Sequence, residues 1–361
     1  MTVAKRVERF CKRCIRNVLK YFLKPIPVKQ EEFNPDSLSR ILLIRQDSRI
    51  GNLVLMTPLI RGLKTSFPGA DLSVLISEGF GEVYEHNPYV DHIILFRKKR
   101  ARFSLLHYLT FIRDVRRKHF DLAIDVSDGY HFSLNNVLLT SLSGARYRLG
   151  YDRENAESFL NLVVPLPSEH THIADAMLGL ATYILPDLEE FPLAYYIAES
   201  ERDFAHEWLE KHNIKQLDTF FVIHPGGRGK KQWGAQNFSA LIDWISSEIG
   251  VRIIVIGGRA EDRIIARIRD LSKGVFDVLQ GVTIGQMAAI IECCDMFISG
   301  DTGPMHISSS LGRPTVGIFI SSDFRIYGPR GQKSRIVIGK DGQVSINDVI
   351  VAIADLYNDI T

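Results

Sequence analysis

The chain has 361 residues, of which 45% are hydrophobic and 24% are charged, and its formal net charge is only +2. This composition excludes a disordered or fibrous protein, and the balanced charge excludes a protein whose whole surface binds nucleic acid. The length exceeds what one ordinary core holds, so it predicts two domains.

The first 39 residues combine a basic segment with a polar linker. Residues 3–23 place apolar side chains at nearly helical spacing and carry seven lysines and arginines against one acid, Glu8. This pattern predicts a basic amphipathic helix on an anionic membrane surface, ended by Pro25 and Pro27. The alternative is a helix that packs on the protein's own surface and exposes its basic face to solvent.

Cysteine usage indicates the compartment. The four cysteines lie in two close pairs, Cys11 with Cys14 and Cys293 with Cys294, which offer no disulfide framework and indicate a reducing environment. No second pair at ligand spacing accompanies Cys11 and Cys14, so no metal site is predicted. The chain also lacks an apolar run of about 18 residues that could span a bilayer. The expected location is the cytoplasm, peripherally on the inner face of the cytoplasmic membrane.

Residues 40–185 alternate short apolar runs with helical patterns, which predicts a parallel sheet with helices on both faces. A loop at Gln46–Asn52 separates the first predicted strand from a helix through Leu53–Ser66. A second helix is predicted over Thr171–Leu185. Strands are predicted at Ile41–Ile44, Asp71–Ile76, Ile93–Phe96, Leu122–Asp125, Arg146–Gly150 and Leu162–Pro165.

Residues 186–345 restart the same alternation, and residues 346–361 close the chain with a helix. The predicted fold class is therefore α/β, with two Rossmann-like doubly wound domains facing a cleft. Strands are predicted at Phe220–Ile223, Ile253–Ile256, Val275–Val278, Met296–Ser299 and Thr315–Phe319. Helices are predicted at Phe238–Ile249, Arg263–Ser272, Ile284–Cys293, Pro304–Leu311 and Asn347–Asn358.

The loop after the strand ending at Ile223 is rich in glycine and basic residues. Gly226 and its neighbouring glycines let the backbone approach a ligand closely, while Arg228 and Lys231 supply positive charge that suits a diphosphate. The alternative is an ordinary basic turn.

Two further loops join a strand to a helix in the same half. In Gly300–His306, the backbone amides at the helix start and the Thr302 hydroxyl form an anion site, with Pro304 in the first helical turn. Asp301 could instead be a helix cap, and His306 a packed core histidine. In Gly257–Asp262, Glu261 could accept hydrogen bonds from ribose hydroxyls or cap the following helix.

These loops, in this order, resemble those of glycosyltransferase family 9, the ADP-heptose:lipopolysaccharide heptosyltransferase group. The resemblance runs from about Arg40 to Tyr357. In the first half it is carried by Ile41–Arg45, Arg49–Asn52, Thr57-Pro58, Phe67-Pro68, Asn87–Asp91, Asp121–Asp125 and Gly144–Arg146. In the second half it is carried by His224–Gly226, Lys231 with Trp233, Ala260-Glu261, Asp301–Gly303 with His306, and Gly312–Pro314.

The resemblance implies a GT-B fold whose C-terminal domain binds an ADP-sugar and whose N-terminal domain binds the acceptor. By residue, it implies that Lys231 contacts the diphosphate and Glu261 the nucleoside. It also implies that Asp301–Gly303 and His306 surround the diphosphate and sugar. Arg49 and Gly51 fall on the acceptor side. It further implies inversion at the anomeric carbon without a metal, and Lys231 and the helix start can stabilise the leaving diphosphate instead.

One departure from the family pattern concerns the catalytic base. The family carries aspartate directly after the glycine of the first loop, where this chain has Asn52. Because an amide cannot accept a proton at neutral pH, Asp47 in the same loop is the replacement candidate, with a loop-capping carboxylate as the alternative.

The first functional hypothesis is an inverting, metal-independent glycosyltransferase that moves heptose from ADP-heptose to a lipopolysaccharide core or a related lipid-linked saccharide. It needs no cofactor beyond the nucleotide sugar. The second is a catalytically impaired sugar-nucleotide-binding protein, motivated by Asn52. The third, a dinucleotide-dependent dehydrogenase, is disfavoured because neither half has Gly-x-Gly-x-x-Gly after its first strand.

Overall fold

A computed structural model describes residues 23–47, 49–97, 105–154, 156–339 and 342–359. Residues 3–22 of the predicted membrane-binding helix, with Cys11 and Cys14, lie outside the described residues. Within the described ranges, no helix is both long enough and apolar enough to cross a lipid bilayer.

The first half of the chain forms a six-stranded parallel sheet in the order β3-β2-β1-β4-β5-β6. Nearly all residues of its central strands are buried, as expected when helices cover both faces of a parallel sheet. The strands are β1 (Arg40–Arg45), β2 (Asp71–Ser77), β3 (His92–Phe96), β4 (Leu122–Asp125), β5 (Tyr147–Tyr151) and β6 (Leu162–Val164).

Among the described residues, the helices that accompany this sheet in the sequence are α1 (Ile50–Val54), α2 (Thr57–Ser66), α3 (Leu105–Arg116), α4 (Leu134–Leu142) and α5 (Ile173–Thr182). The single helix predicted through Leu53–Ser66 is wrong, because two helices share that region. Pro58 explains the break, because it lacks the backbone N–H that would donate to the carbonyl of Val54 if one helix continued through this region. Consequently Asn52, predicted to lie in a loop, lies in α1.

The second half forms another six-stranded parallel sheet, in the order β12-β11-β10-β7-β8-β9. Its strands are β7 (Phe220–His224), β8 (Arg252–Ile256), β9 (Asp277–Leu279), β10 (Met296–Gly300), β11 (Thr315–Phe319) and β12 (Ser334–Ile338). Its helices are α6 (Glu199–Lys211), α7 (Ala235–Trp244, continued by a π-helical turn to Ile249), α8 (Asp262–Leu271), α9 (Ile284–Cys293), α10 (Gly303–Ser310), α11 (Phe324–Tyr327) and α12 (Ile346–Asn358).

Both sheets have the same topology. Counted within each sheet, the strand order is 3-2-1-4-5-6, the order of dinucleotide-binding Rossmann folds, which confirms the predicted fold class. The direction of winding reverses between β1 and β4 in the first sheet and between β7 and β10 in the second. Ligands of such sheets bind beyond the carboxyl ends of the strands at these switch points.

The chain divides into two compact units. The first contains residues 1–48, 58–81 and 88–191, and the second contains 49–57, 82–87 and 192–361. Two short segments of the first half of the sequence, Arg49–Thr57 and Glu82–Asn87, therefore group with the second sheet.

Candidate functional site

The loop after β7 begins with a buried histidine and a buried glycine. The backbone N–H of Gly226 donates to Nδ1 of His224 at 3.3 Å, so the proton of this ring lies on Nε2. A Cβ at position 226 would lie 2.2 Å from Cε1 of His224, which explains why the turn requires glycine. The loop therefore passes directly over the end of its own strand.

The adjacent loop after β10 leads into α10. Thr302 is the N-cap of α10, yet its side chain makes no capping hydrogen bond. Its hydroxyl instead lies 2.8 Å from Oγ of Ser299 and 3.2 Å from Nδ1 of His224. The Thr302 hydroxyl thus joins the two loops and leaves the backbone amides at the start of α10 without a cap from this side chain.

Burial of the imidazole lowers the pKa of His224 to about 4. At neutral pH the ring is uncharged, and its Nδ1 acts as a hydrogen-bond acceptor for the two loops. Sequence reasoning assigned no role to this side chain, although its position at the carboxyl end of β7 was a usable signal.

A lysine–aspartate pair connects the two loops. Nζ of Lys231 forms a short ion pair with Oδ2 of Asp301, and it lies 5.7 Å from the ring centroid of Tyr327. The Lys231 side chain is 39% exposed and that of Asp301 only 9% exposed, so the cation faces solvent while the carboxylate is held beneath it. We call residues 225–234 and 301–302 the donor loops, because they carry residues that the sequence predicts to bind the donor. They bring together Gly226, Lys231, Asp301 and Thr302, while Arg228 lies on the same loop with an exposed side chain.

The helix α1 packs against α10 within the second unit. A Cβ at Gly51 would lie 2.6 Å from Cδ2 of the buried His306, and a Cβ at Gly303 would lie 3.0 Å from the backbone N of Gly51. Both glycines are therefore required for the close approach. The structure thereby places predicted acceptor-side and donor-side residues side by side. Arg49 is the N-cap residue of α1, and its exposed side chain makes no capping hydrogen bond. Asn52 lies within α1 and is 5% exposed.

Glu261 belongs to a third loop and lies at the start of α8 after β8. Its Oε2 accepts a hydrogen bond from the backbone N–H of Gly258 at 3.0 Å. One carboxylate oxygen thus bonds back to its own loop, and the Glu261 side chain does not cap α8, which was the alternative considered from the sequence.

At the switch point of the first sheet, one arginine holds two aspartates. Arg45, at the end of β1 and 3% exposed, places Nη2 at 3.2 Å from Asp47 and at 3.3 Å from Asp128. Its Nη1 donates to the carbonyl of Val126 at 2.5 Å. Arg45, Asp47 and Asp128 form what we call the Arg45 cluster, in which one guanidinium contacts two carboxylates.

The two carboxylates of this cluster differ in access. Asp128 accepts hydrogen bonds from the backbone N–H of His131 and contacts its ring, and its side chain is 3% exposed. Burial alone raises the pKa of Asp128, but the His131 hydrogen bond and the Arg45 charge outweigh it and hold the pKa below its usual value. Asp47 is 12% exposed and is therefore the more accessible carboxylate.

A third aspartate, Asp125, ends β4. Burial raises the pKa of Asp125 to about 6, against the opposing hydrogen bonds from Ser127. Ser127 in turn accepts from Nδ2 of Asn136, whose Oδ1 accepts from the backbone N–H of Gln46. This chain of contacts links the loops after β1 and β4. Sequence analysis named Asp125 only as a family landmark and missed Asp128, although both follow the strand next to β1.

Comparison with known proteins agrees with these features. A sequence model of glycosyltransferase family 9 (heptosyltransferase) matches residues 108–351. The lipopolysaccharide heptosyltransferase 3 of Escherichia coli is 24% identical over 295 residues, which cover 77% of this chain and 83% of that protein.

Two solved structures share the fold. A glycosyl transferase of family 9 from Veillonella parvula DSM 2008 has a TM-score of 0.79 at 21% identity, covering 89% of this chain and 97% of that one. The E. coli heptosyltransferase WaaC with ADP has a TM-score of 0.70 at 18% identity, covering 88% of this chain and 99% of that one. These likenesses confirm the predicted GT-B fold. Because the family match spans more than half of its length, the chain belongs to glycosyltransferase family 9, the heptosyltransferase family, and is a glycosyltransferase.

Proposed function

We propose that this glycosyltransferase moves heptose from ADP-heptose to a hydroxyl of a lipopolysaccharide core or a related lipid-linked saccharide, with inversion and without a metal. The relative described above is a lipopolysaccharide heptosyltransferase, and one structural neighbour holds ADP. The observation that carries the proposal is the Lys231–Asp301 pair beside the start of α10, at the switch point of the second sheet.

The donor loops supply the chemistry for the leaving group. In the reaction the acceptor oxygen attacks the anomeric carbon, the bond from that carbon to the diphosphate breaks, and the diphosphate leaves with the electron pair. Lys231, Arg228 and the amides at the start of α10 would stabilise this charge. Asp301 holds the Lys231 ammonium in place until a diphosphate competes for it. Gly226, Thr302, Gly303 and His306 complete this donor site.

Asp47 is the proposed general base that takes the proton of the acceptor hydroxyl. It is the more accessible of the two carboxylates on Arg45, and that arginine fixes its orientation. Asn52 would contribute a hydrogen bond rather than proton transfer. Arg49 and Gly51 stay proposed acceptor-side residues, and Glu261, through its second carboxylate oxygen, is proposed to contact the nucleoside.

Calorimetric titration with ADP, UDP and GDP, with and without EDTA, tests the donor assignment. We expect ADP to bind most tightly, EDTA to leave the affinity unchanged, and Lys231→Ala to weaken it. Preference for UDP or GDP would discard ADP-heptose as the donor. Loss of binding in EDTA would contradict the metal-independent mechanism.

A second candidate is a protein that binds the nucleotide sugar without transferring the sugar efficiently. Asn52, at the position of the family's catalytic aspartate, favours it. Single-turnover transfer with ADP-heptose and lipid-linked acceptor separates the two, because a binding protein would saturate with donor and release no ADP.

Residues 3–23 are proposed to attach the enzyme to the anionic inner face of the cytoplasmic membrane, where a lipid-linked acceptor resides. Co-sedimentation with anionic liposomes compares the full chain with a chain that begins near Glu31. Equal sedimentation of both proteins would remove the anchor.

A further inference from the structure

A pocket lies in the second unit, at the opposite end of the sheet from the donor loops. It has a volume of about 230 Å³ and is formed where the amino ends of β7, β10, β11 and β12 meet the last helix. The residues that line it are Thr219, Asp295, Gly312, Arg313, Pro314, Lys333 and Tyr357. Ligands of Rossmann-like sheets bind at the carboxyl ends of the strands, so the fold does not account for a pocket here.

The backbone around this pocket is already satisfied. The N–H of Arg313 donates to the carbonyl of Ser308, and the N–H of Thr315 donates to the carbonyl of Lys333. The N–H of Phe297 donates to the carbonyl of Pro314. These three hydrogen bonds hold the loops of the rim together, so side chains supply the charged groups that could contact a ligand.

Two cations of this rim lack an acidic partner. No ion pair of Arg313 or Lys333 occurs among the described residues, and Nε of Arg313 is buried without a hydrogen-bond acceptor in that part of the chain. A buried guanidinium N–H without an acceptor is costly, because the charged group has given up its hydrogen bonds to water. An oxyanion in the pocket would remove this cost, and a guanidinium matches the geometry of a phosphate.

The third charged side chain restricts the kind of anion. Oδ2 of Asp295 accepts a hydrogen bond from the backbone N–H of Phe220 at 2.9 Å, which fixes the carboxylate on the pocket wall. This carboxylate repels a bare anion but accepts hydrogen bonds from hydroxyl groups. The ring of Tyr357, packed edge-on against Phe221 at 5.6 Å, forms an apolar wall. The volume is too small for a nucleotide sugar and suits a smaller molecule.

From this combination we propose that the pocket is a second binding site, which takes the phosphate monoester of a small polyhydroxylated molecule. Arg313 and Lys333 contact the phosphate, and Asp295 accepts from the hydroxyls. The site does not rest on the proposed transfer reaction, because none of its residues belongs to the donor loops or to the Arg45 cluster.

Calorimetric titration of the full chain with glucose 6-phosphate, ribose 5-phosphate and inorganic phosphate tests the proposal. We expect one saturable site for at least one sugar phosphate, with weaker binding of inorganic phosphate. Arg313→Gln and Lys333→Gln should each weaken the ester about tenfold, the loss expected for one charge-assisted hydrogen bond. Arg269→Gln, an exposed arginine on α8 outside the pocket, is the matched control and should change nothing.

The Lys231→Ala protein distinguishes this pocket from the donor loops. If Lys231→Ala weakens the sugar phosphate and Arg313→Gln does not, the phosphate binds at the donor loops and the proposal is overturned. Absence of saturable binding to the parent protein, or affinity unchanged in both Arg313→Gln and Lys333→Gln, overturns it as well. Equal affinity for inorganic phosphate and the esters would contradict the role given to Asp295. Melting temperatures of the variants verify that each is folded.

Discussion

Arg45 contacts two carboxylates of the first sheet that differ in their access to solvent. It fixes Asp128 deep in the structure and leaves Asp47 at the accessible side of the same guanidinium. Sequence analysis identified Asp47 because it is the acidic residue of the first loop. It could not identify the partner, since Asp128 is distant along the chain and meets Arg45 only when β1 and β4 pair.

Asp47→Asn should lower the rate of sugar transfer by about 10²- to 10⁴-fold, the range that a general base contributes. The affinity for the nucleotide should stay unchanged, because the substitution does not touch the donor loops. Single-turnover transfer and calorimetric titration measure the two quantities. Asp71→Asn, at an exposed aspartate in the same unit, is the control. Undiminished transfer by Asp47→Asn would show that another group takes the proton.

The buried Asp125 predicts a pH-dependent stability. Its pKa in the folded chain, about 6, lies above the ordinary 3.8, so the folded state binds this proton more tightly than the unfolded state does. Its contribution is fully present below pH 3.8 and is lost as the pH rises through 6. The loss amounts to about 3 kcal/mol, at about 1.4 kcal/mol for each unit of pKa difference.

The Asp125→Asn protein cannot ionise at this position, so it should not lose this stability as the pH rises. Its free energy of unfolding should therefore increase relative to that of the parent protein by about 3 kcal/mol between pH 4 and pH 8. Denaturant unfolding of both proteins at several pH values measures the difference between their free energies of unfolding. A constant offset caused by altered hydrogen bonds does not affect how this difference changes with pH. A difference that does not change with pH would mean that Asp125 is ionised throughout the range.

Single elements differ in how well the sequence predicts them. Buried strands such as β4 and β11 were predicted with their observed bounds because they are short apolar runs between turn signals. The strand β12 was missed because it lies at the sheet edge and is only half-buried. The helix α6 was missed because its sequence is highly charged and only Ala205 and Leu209 are buried.

The contact between α1 and α10 gives a prediction for one glycine. Gly51→Ala inserts a methyl group against His306, and such overpacking costs about 1–3 kcal/mol of stability. Because the same contact supports the start of α10, nucleotide affinity should fall too. Gly69→Ala is the matched control, since nothing lies within 4 Å of a Cβ at that position. Thermal unfolding and nucleotide titration of both variants check this, and equal behaviour would contradict the close approach.

For the whole molecule, the alternation of strands and helices was enough to predict two parallel sheets. The order of the strands was not predicted, because it depends on contacts between distant parts of the chain. The assignment of residues to the two compact units could not be predicted either, since Arg49–Thr57 and Glu82–Asn87 contact elements far along the sequence. The boundaries 40–185 and 186–345 stay predictions.

Because these two segments belong to the second unit, we expect residues 192–361 alone to form an incomplete unit. Such a fragment lacks α1, and it lacks Glu82, whose Oε2 accepts from the backbone N–H of Ile284 at the start of α9 at 3.0 Å. We expect a lower melting temperature and weaker nucleotide binding than in the full chain. The control is full-length protein cleaved once near Leu188 with both pieces retained, which should keep both properties. A fragment as stable and as tight-binding as this control would show that the segments contribute nothing.

The same division has a consequence for the order of synthesis. Leu53, Val54, Leu55 and Met56 are fully buried in the finished protein, yet α10, against which α1 packs, is made roughly 250 residues later. At translation rates of about 5–20 residues per second, α1 waits about 10 to 50 s for this partner. During that interval its apolar side chains are available to other nascent chains. We therefore expect newly made protein to be more prone to aggregation before α10 has left the ribosome than afterwards.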